Sequence, residues 1–193
     1  PKRRYRIRWK SVLLLICLLL TPVIIGLALG SHPKNIVIAL DAGHGGTDPG
    51  ASGFVAETEL TENTVRFLNE LFSADPAYSA ILTRQYGEGA SIGDRCRTAV
   101  RRHAQLFLSI HGNYSELDDA NGFECYPVPP GRTHFDDSVR LAREVVSEIE
   151  KTGISIRGID GIRYAYYVPD ENGNDVKTIV ESDQTGVSGF PSF

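Results

Sequence analysis

The chain has 193 residues, 41% hydrophobic and 23% charged, which fits a folded globular protein and excludes a disordered one. Its formal charge is −4, but six of the 20 basic residues (Lys2, Arg3, Arg4, Arg6, Arg8 and Lys10) lie in the first ten positions, and residues 1–30 contain no acid. The remainder holds 14 basic against 24 acidic residues, a net of −10, which argues against a nucleic-acid partner.

The chain order starts with that basic head, residues 1–10. Residues 11–30, SVLLLICLLLTPVIIGLALG, come next, uncharged from Val12 to Leu29. Those 18 residues are about the minimum for a membrane-spanning helix. Positive charge ahead of the span keeps the amino end in the cytoplasm and sends the rest outside. A cleaved signal peptide, with Ala28 and Gly30 near the cut, is the alternative. Either reading exports the remainder of the chain, as an anchored domain outside the cell membrane or as a secreted one. Residues 31–34 form a short linker. The chain begins at Pro1 and contains no methionine, so it is expected to be a fragment.

From residue 35 the pattern alternates. IVIAL (36–40) predicts a buried strand. Residues 41–57, DAGHGGTDPGASGFVAE, form a long glycine-rich loop, a length that tends to carry function. Residues 58–73 have apolar positions at Leu60, Val65, Leu68, Leu71 and Phe72, at helical spacing. AYSAILTR is a second strand. SIGDRCRTAVRRHA is a helix with Ser91 as N-cap and Asp94 three residues later. QLFLSIHGN is a third strand and GFECYPV a fourth. Residues 136–153 form a third helix, with acids at its start and Lys151 and Gly153 at its end. GIRYAYYV and VKTIV are strands around the turn-rich PDENGND. This order predicts an α/β fold: a mixed, mostly parallel sheet with helices on both faces. Of three cysteines, Cys17 lies in the apolar segment. Cys96 and Cys125 either pair or remain separate buried thiols.

Two predicted strands end in histidines, His44 and His111, and Glu57 ends the loop between them. Two imidazoles and a carboxylate are a ligand set of catalytic zinc sites. Zinc polarises a carbonyl and lowers the pKa of its water. Taken singly, each residue has an ordinary reading: a packed or surface histidine, or a helix-start acid favoured by the dipole.

IVIALDAGHGGTDPGASG, then Glu57, ILTR, DR, LFLSIHGN and GFECY together resemble the zinc-dependent N-acetylmuramoyl-L-alanine amidases of the amidase-3 type, from about Asn35 to Gly161. The resemblance implies an amidase-3, zinc-exopeptidase-like fold and zinc held by His44, Glu57 and His111. It implies peptidoglycan as partner and substrate, cut between muramic acid and L-alanine; the protein is expected to be a monomer. Asp41 is expected to orient a metal ligand, and Arg95 matches a family position near the groove. The resemblance also implies a general-base glutamate on a late strand, followed by x-Gly-Phe. Glu181 is followed by Ser-Asp-Gln, so residues 35–193 are expected to lack the last strand and the base to lie beyond Phe193. Two alternatives stay open: a catalytically weak or inactive peptidoglycan-binding or regulatory module of the same fold, and a zinc peptidase of other specificity. His32, His103 and His134 are expected to be solvated. The arginines at 95, 97, 101 and 102 are expected on a solvated helix surface, and YAYY in core packing.

Overall fold

The computed structural model describes residues 35–113 and 121–182. They fall into two compact units, one ending at Tyr114 and the other beginning at Ser115. The basic head, the apolar segment at 11–30 and His32 lie outside the described residues. Among the described residues, no helix is long and apolar enough to cross a membrane.

The first unit is built on β1 (Ile36–Ala42), flanked by β2 (Tyr78–Leu82) and β3 (Leu106–Ile110) in a parallel sheet of order β2-β1-β3. A central parallel strand is covered on both faces, so it is apolar without alternation. Ile38, Ala39 and Leu40 are accordingly no more than 1% exposed. Helix α1 (Glu57–Ala74) supplies Val65, Leu68 and Phe72, which pack with Ile38, Leu40 and Ala42. Successive strand residues point to opposite faces, so Asp41 faces away from α1. Helix α2 (Ile92–Arg101) serves that other face, where its Arg95 reaches Asp41. The predicted cap of α2 is present: the Ser91 hydroxyl accepts from the Asp94 N–H at 3.1 Å.

The second unit pairs β4 (Arg163–Pro169) with β5 (Asp175–Glu181) in an antiparallel hairpin. One turn closes it, with the Asp170 carboxylate accepting the N–H groups of Asn172 and Asn174. Ala142 and Val146 of helix α3 (Phe135–Lys151) join Ile162, Tyr164, Tyr166 and Val180 in its core. Of the YAYY run, Tyr164 and Tyr166 are thus core residues, while Tyr167 is exposed.

Several expectations need correction. Strand β1 runs two residues further than predicted, through Ala42, and Glu57 opens α1 instead of ending the loop. The ladder hydrogen bonds of the described residues make a parallel sheet and a separate hairpin, not one mixed sheet. GFECYPV is not a regular strand. It makes two isolated parallel pairings, Phe123 with Ile156 and Cys125 with Ile162. The partner segment bulges between those points, where Gly158 and Gly161 both have φ of 71° and break any continuous ladder. Cys96 and Cys125 are both free thiols. Cys96 is exposed, and burial pushes the Cys125 thiol up to about 11.

Candidate metal centre

Parallel strands put their carboxyl ends at one edge of a sheet, where ligands of α/β folds bind. Ala42 of β1 stands beside Ile110 of β3, and the Gly43 N–H donates to the Ile110 carbonyl at 2.9 Å. His44 and His111 therefore emerge together. Their ring centroids are 5.1 Å apart with the planes at 80°. Glu57 arrives from the first residue of α1, with only 6% of its side chain exposed. Its Oε2 lies 3.1 Å from His44 Nε2 and its Oε1 lies 3.1 Å from His111 Nδ1. One donor atom from each residue falls within 4.8 Å of the other two.

The Glu57 carboxylate is aimed by the backbone. The Ala51 N–H donates to Oε2 at 3.0 Å and the Gly112 N–H to Oε1 at 2.8 Å. Burial pushes the Glu57 carboxyl up, but these two N–H groups and the His111 ring outweigh it and hold it below its ordinary range. Among the described residues, it stays an anion without a Lys or Arg side chain hydrogen-bonded to it. Glycines keep the space open. A Cβ on Gly43 would run into the His111 ring, and one on Gly50 would lie 2.6 Å from His44 Cδ2 and 2.8 Å from Glu57 Oε2. Two imidazoles and one buried carboxylate, converging where glycine backbones leave room, fit a zinc ion by ligand type and number.

His44 has a left-handed backbone, φ 58°, a conformation that costs a non-glycine residue energy and gathers at functional sites. Two buried guanidinium groups hold the chain there. Arg84 donates from Nε to the Ala42 carbonyl at 2.9 Å and from Nη2 to the Gly43 carbonyl at 3.1 Å. Arg95 donates to the carbonyls of Ala42 and His44. The Thr61 hydroxyl adds a bond to the Gly43 carbonyl at 3.0 Å. Three successive carbonyls at a strand end are thus satisfied by side chains, as buried backbone groups must be.

Asp41 does not orient a histidine, contrary to expectation. Its carboxylate accepts from Thr83, from Arg95 at 3.0 Å and from Ser109 at 2.7 Å. It secures Arg95, and Arg95 secures the His44 backbone. The carboxylate beside His44 is Asp48, with Oδ2 at 2.9 Å from Nδ1. The hydrogen bond from His44 holds the Asp48 carboxyl below its ordinary range, and the Gly50 N–H adds to this. Sequence reasoning passed over Asp48, and its only signal was an acid four residues after a histidine in a glycine-rich loop. Arg95 is buried, while Arg97 lies on the surface, paired with Asp94 at 2.6 Å. Glu181, in the second unit, is bound to Arg163 at 2.7 Å. His103 and His134 are exposed.

Comparison with known proteins identifies the family of the chain. A putative N-acetylmuramoyl-L-alanine amidase of Buchnera aphidicola is 33% identical over 96 residues, 49% of this chain and 44% of that protein. A probable N-acetylmuramoyl-L-alanine amidase of Haemophilus influenzae, AmiB, is 34% identical over 102 residues, 51% of this chain and 24% of that protein. The chain therefore spans less than half the length of these two curated relatives. The solved structure of the N-acetylmuramoyl-L-alanine amidase AmiC2 of Nostoc punctiforme superposes with a TM-score of 0.60 at 26% identity, over 74% of this chain and 76% of that one. The profile of the N-acetylmuramoyl-L-alanine amidases matches residues 38–172, a stretch that takes in both histidines and the glutamate between them. The chain belongs to the N-acetylmuramoyl-L-alanine amidase family.

Proposed function

We propose that this protein is a zinc-dependent hydrolase of the amide bond between N-acetylmuramic acid and L-alanine in peptidoglycan. The observation that carries the reading is the convergence of His44 Nε2, Glu57 and His111 Nδ1 within one coordination sphere's reach. Family membership supplies the substrate class. The basic head and apolar segment at 11–30 support action outside the cytoplasmic membrane, anchored by that segment.

His44, Glu57 and His111 would hold the ion. Zinc so held supplies Lewis acidity, which polarises a carbonyl and makes water more acidic. Glu57, fixed by two backbone N–H groups, contributes the negative charge of the site and does not turn over as an acid. The His111 side chain is half exposed, so the centre opens to solvent and to a bulky glycan peptide. Arg95 and Arg84 hold the loop that presents His44. Glu181 is not assigned as the base, because its carboxylate is committed to Arg163. The second reading is a peptidoglycan-binding module of this fold with weak turnover.

The test is incubation of the zinc-supplemented protein with a muramoyl peptide, followed by mass spectrometry of the products. Release of N-acetylmuramic acid and a peptide with a free L-alanine amine is the expected result. Binding to peptidoglycan without cleavage would support the second reading, and cleavage between amino acids would contradict both.

A further inference from the structure

We propose that Asp48 is a positioning residue for the metal centre: it holds His44 with Nδ1–H turned toward the loop, so that Nε2 is the nitrogen offered to the ion. The inference rests on the metal centre proposed above. Asp48 is itself fixed before it meets His44. Its carbonyl accepts from the Gly45 N–H at 2.9 Å, and its own N–H donates to the Gly45 carbonyl at 3.2 Å. Its Oδ1 accepts from the Gly50 N–H at 3.0 Å. Oδ2 then lies 2.9 Å from His44 Nδ1.

An ionised carboxylate only accepts, so Nδ1 carries the hydrogen, and Nε2 is the ring nitrogen left to bind an ion. Nε2 faces Glu57 Oε2 at 3.1 Å. Asp48 thus commits the free ring nitrogen to the shared point. His111 presents the opposite nitrogen, since its Nδ1 faces Glu57 Oε1. The two histidines therefore offer different nitrogens, and Asp48 accounts for the choice at His44. Partners of this kind raise ligand basicity and fix ring orientation.

The Asp48 side chain is 65% exposed, and an exposed ion pair contributes little to stability. A merely structural role thus predicts no change in metal affinity, which makes the two accounts separable. The probe is zinc alone, titrated into the full chain in competition with a chromophoric chelator, for wild type, D48A, D48N and H44A. Thermal melting without metal and the nitrogen-15 shifts of the His44 ring accompany it. The expected result is zinc affinity lowered roughly 10–100-fold in D48A, with melting unchanged. D48N should lose less, because its amide oxygen can still accept from Nδ1–H. The ring shifts should show protonated Nδ1 in wild type and a mixture of tautomers in D48A. Wild-type affinity in D48A and D48N, beside loss in H44A, would overturn the role of Asp48 and leave the metal centre standing. No zinc binding by wild type, or equal binding by H44A, would overturn the metal centre and Asp48 with it.

Discussion

The two units bury different things. By whole-residue exposure, the buried polar and charged residues among those described all belong to the first unit: Asp41, Glu57, Thr61, Thr83, Arg84 and Arg95. The core of the second unit is Ala142, Val146, Ile162, Tyr164, Tyr166 and Val180. The second unit does cover one carboxylate, Glu124, which is 3% exposed in its side chain and lies 2.9 Å from Arg163 and 3.6 Å from Arg157. That network ties together a hairpin and a loop. In the first unit, buried charge instead shapes one short segment, residues 41–44, down to the backbone angle of a single histidine. A buried polar network is costly unless complete, and when complete it fixes one conformation. The first unit spends its buried polar groups on the geometry of a site, while the second is organised around ordinary apolar packing.

Substitutions that separate the two kinds of burial sharpen this contrast. The largest effect is expected from Arg95→Met, which leaves Asp41 buried and without its cation. A cost of about 3–5 kcal/mol should appear in urea unfolding. Hydrogen exchange should quicken in β1 and β3, with the second unit unchanged. Ile162→Ala is the counterpart in the second unit. It should cost roughly 2–5 kcal/mol through the cavity it leaves, and should not alter metal binding. A change in zinc affinity in that variant would break the comparison. Thr61→Val removes one of the donors to the Gly43 carbonyl while Arg84 remains. It should cost about 1 kcal/mol, read from the same unfolding curves.

The smallest expected effect is a pH dependence at Glu62, which accepts from Arg84 at 2.6 Å and from the Gly87 N–H at 2.8 Å. Burial pushes its carboxyl up, but these two donors outweigh it and hold it below the ordinary value of 4.5. A folded-state pKa below the unfolded one stabilises the fold above the unfolded value. That contribution disappears as pH falls from 4.5 through the lower folded value. Thermal midpoints followed from pH 6 downward, at roughly the carboxylate range, should therefore decline less steeply in Glu62→Gln. The variant should also be less stable than wild type at neutral pH.

Much of the site was legible because it rests on short-range patterns. A buried apolar run ending at Asp41, and a half-buried run, LFLSI, ending at His111, place two histidines at strand ends, and parallel strands bring such ends together. The α2 cap at Ser91 was readable for the same local reason. What escaped was long-range and aperiodic. Arg84 and Arg95 meet the Ala42 carbonyl from 42 and 53 residues away, and side chain to backbone bonds of that span leave no repeat in a sequence. Asp41 reads as the partner of a histidine because it stands near one in sequence. Strand alternation turns it to the face where Arg95 and Ser109 lie. GFECYPV has strand composition, but its ladder depends on the glycines of a partner segment more than thirty residues on.

The most direct test of the central claim is zinc content and affinity of the full chain beside His44→Ala, Glu57→Ala and His111→Ala. The account predicts about one zinc per wild-type chain and loss of tight binding in each variant, since three protein ligands hold such an ion. A folded wild-type chain that takes up no zinc, or any of the three variants that binds it as tightly as wild type, would contradict the assignment of these residues to one metal centre.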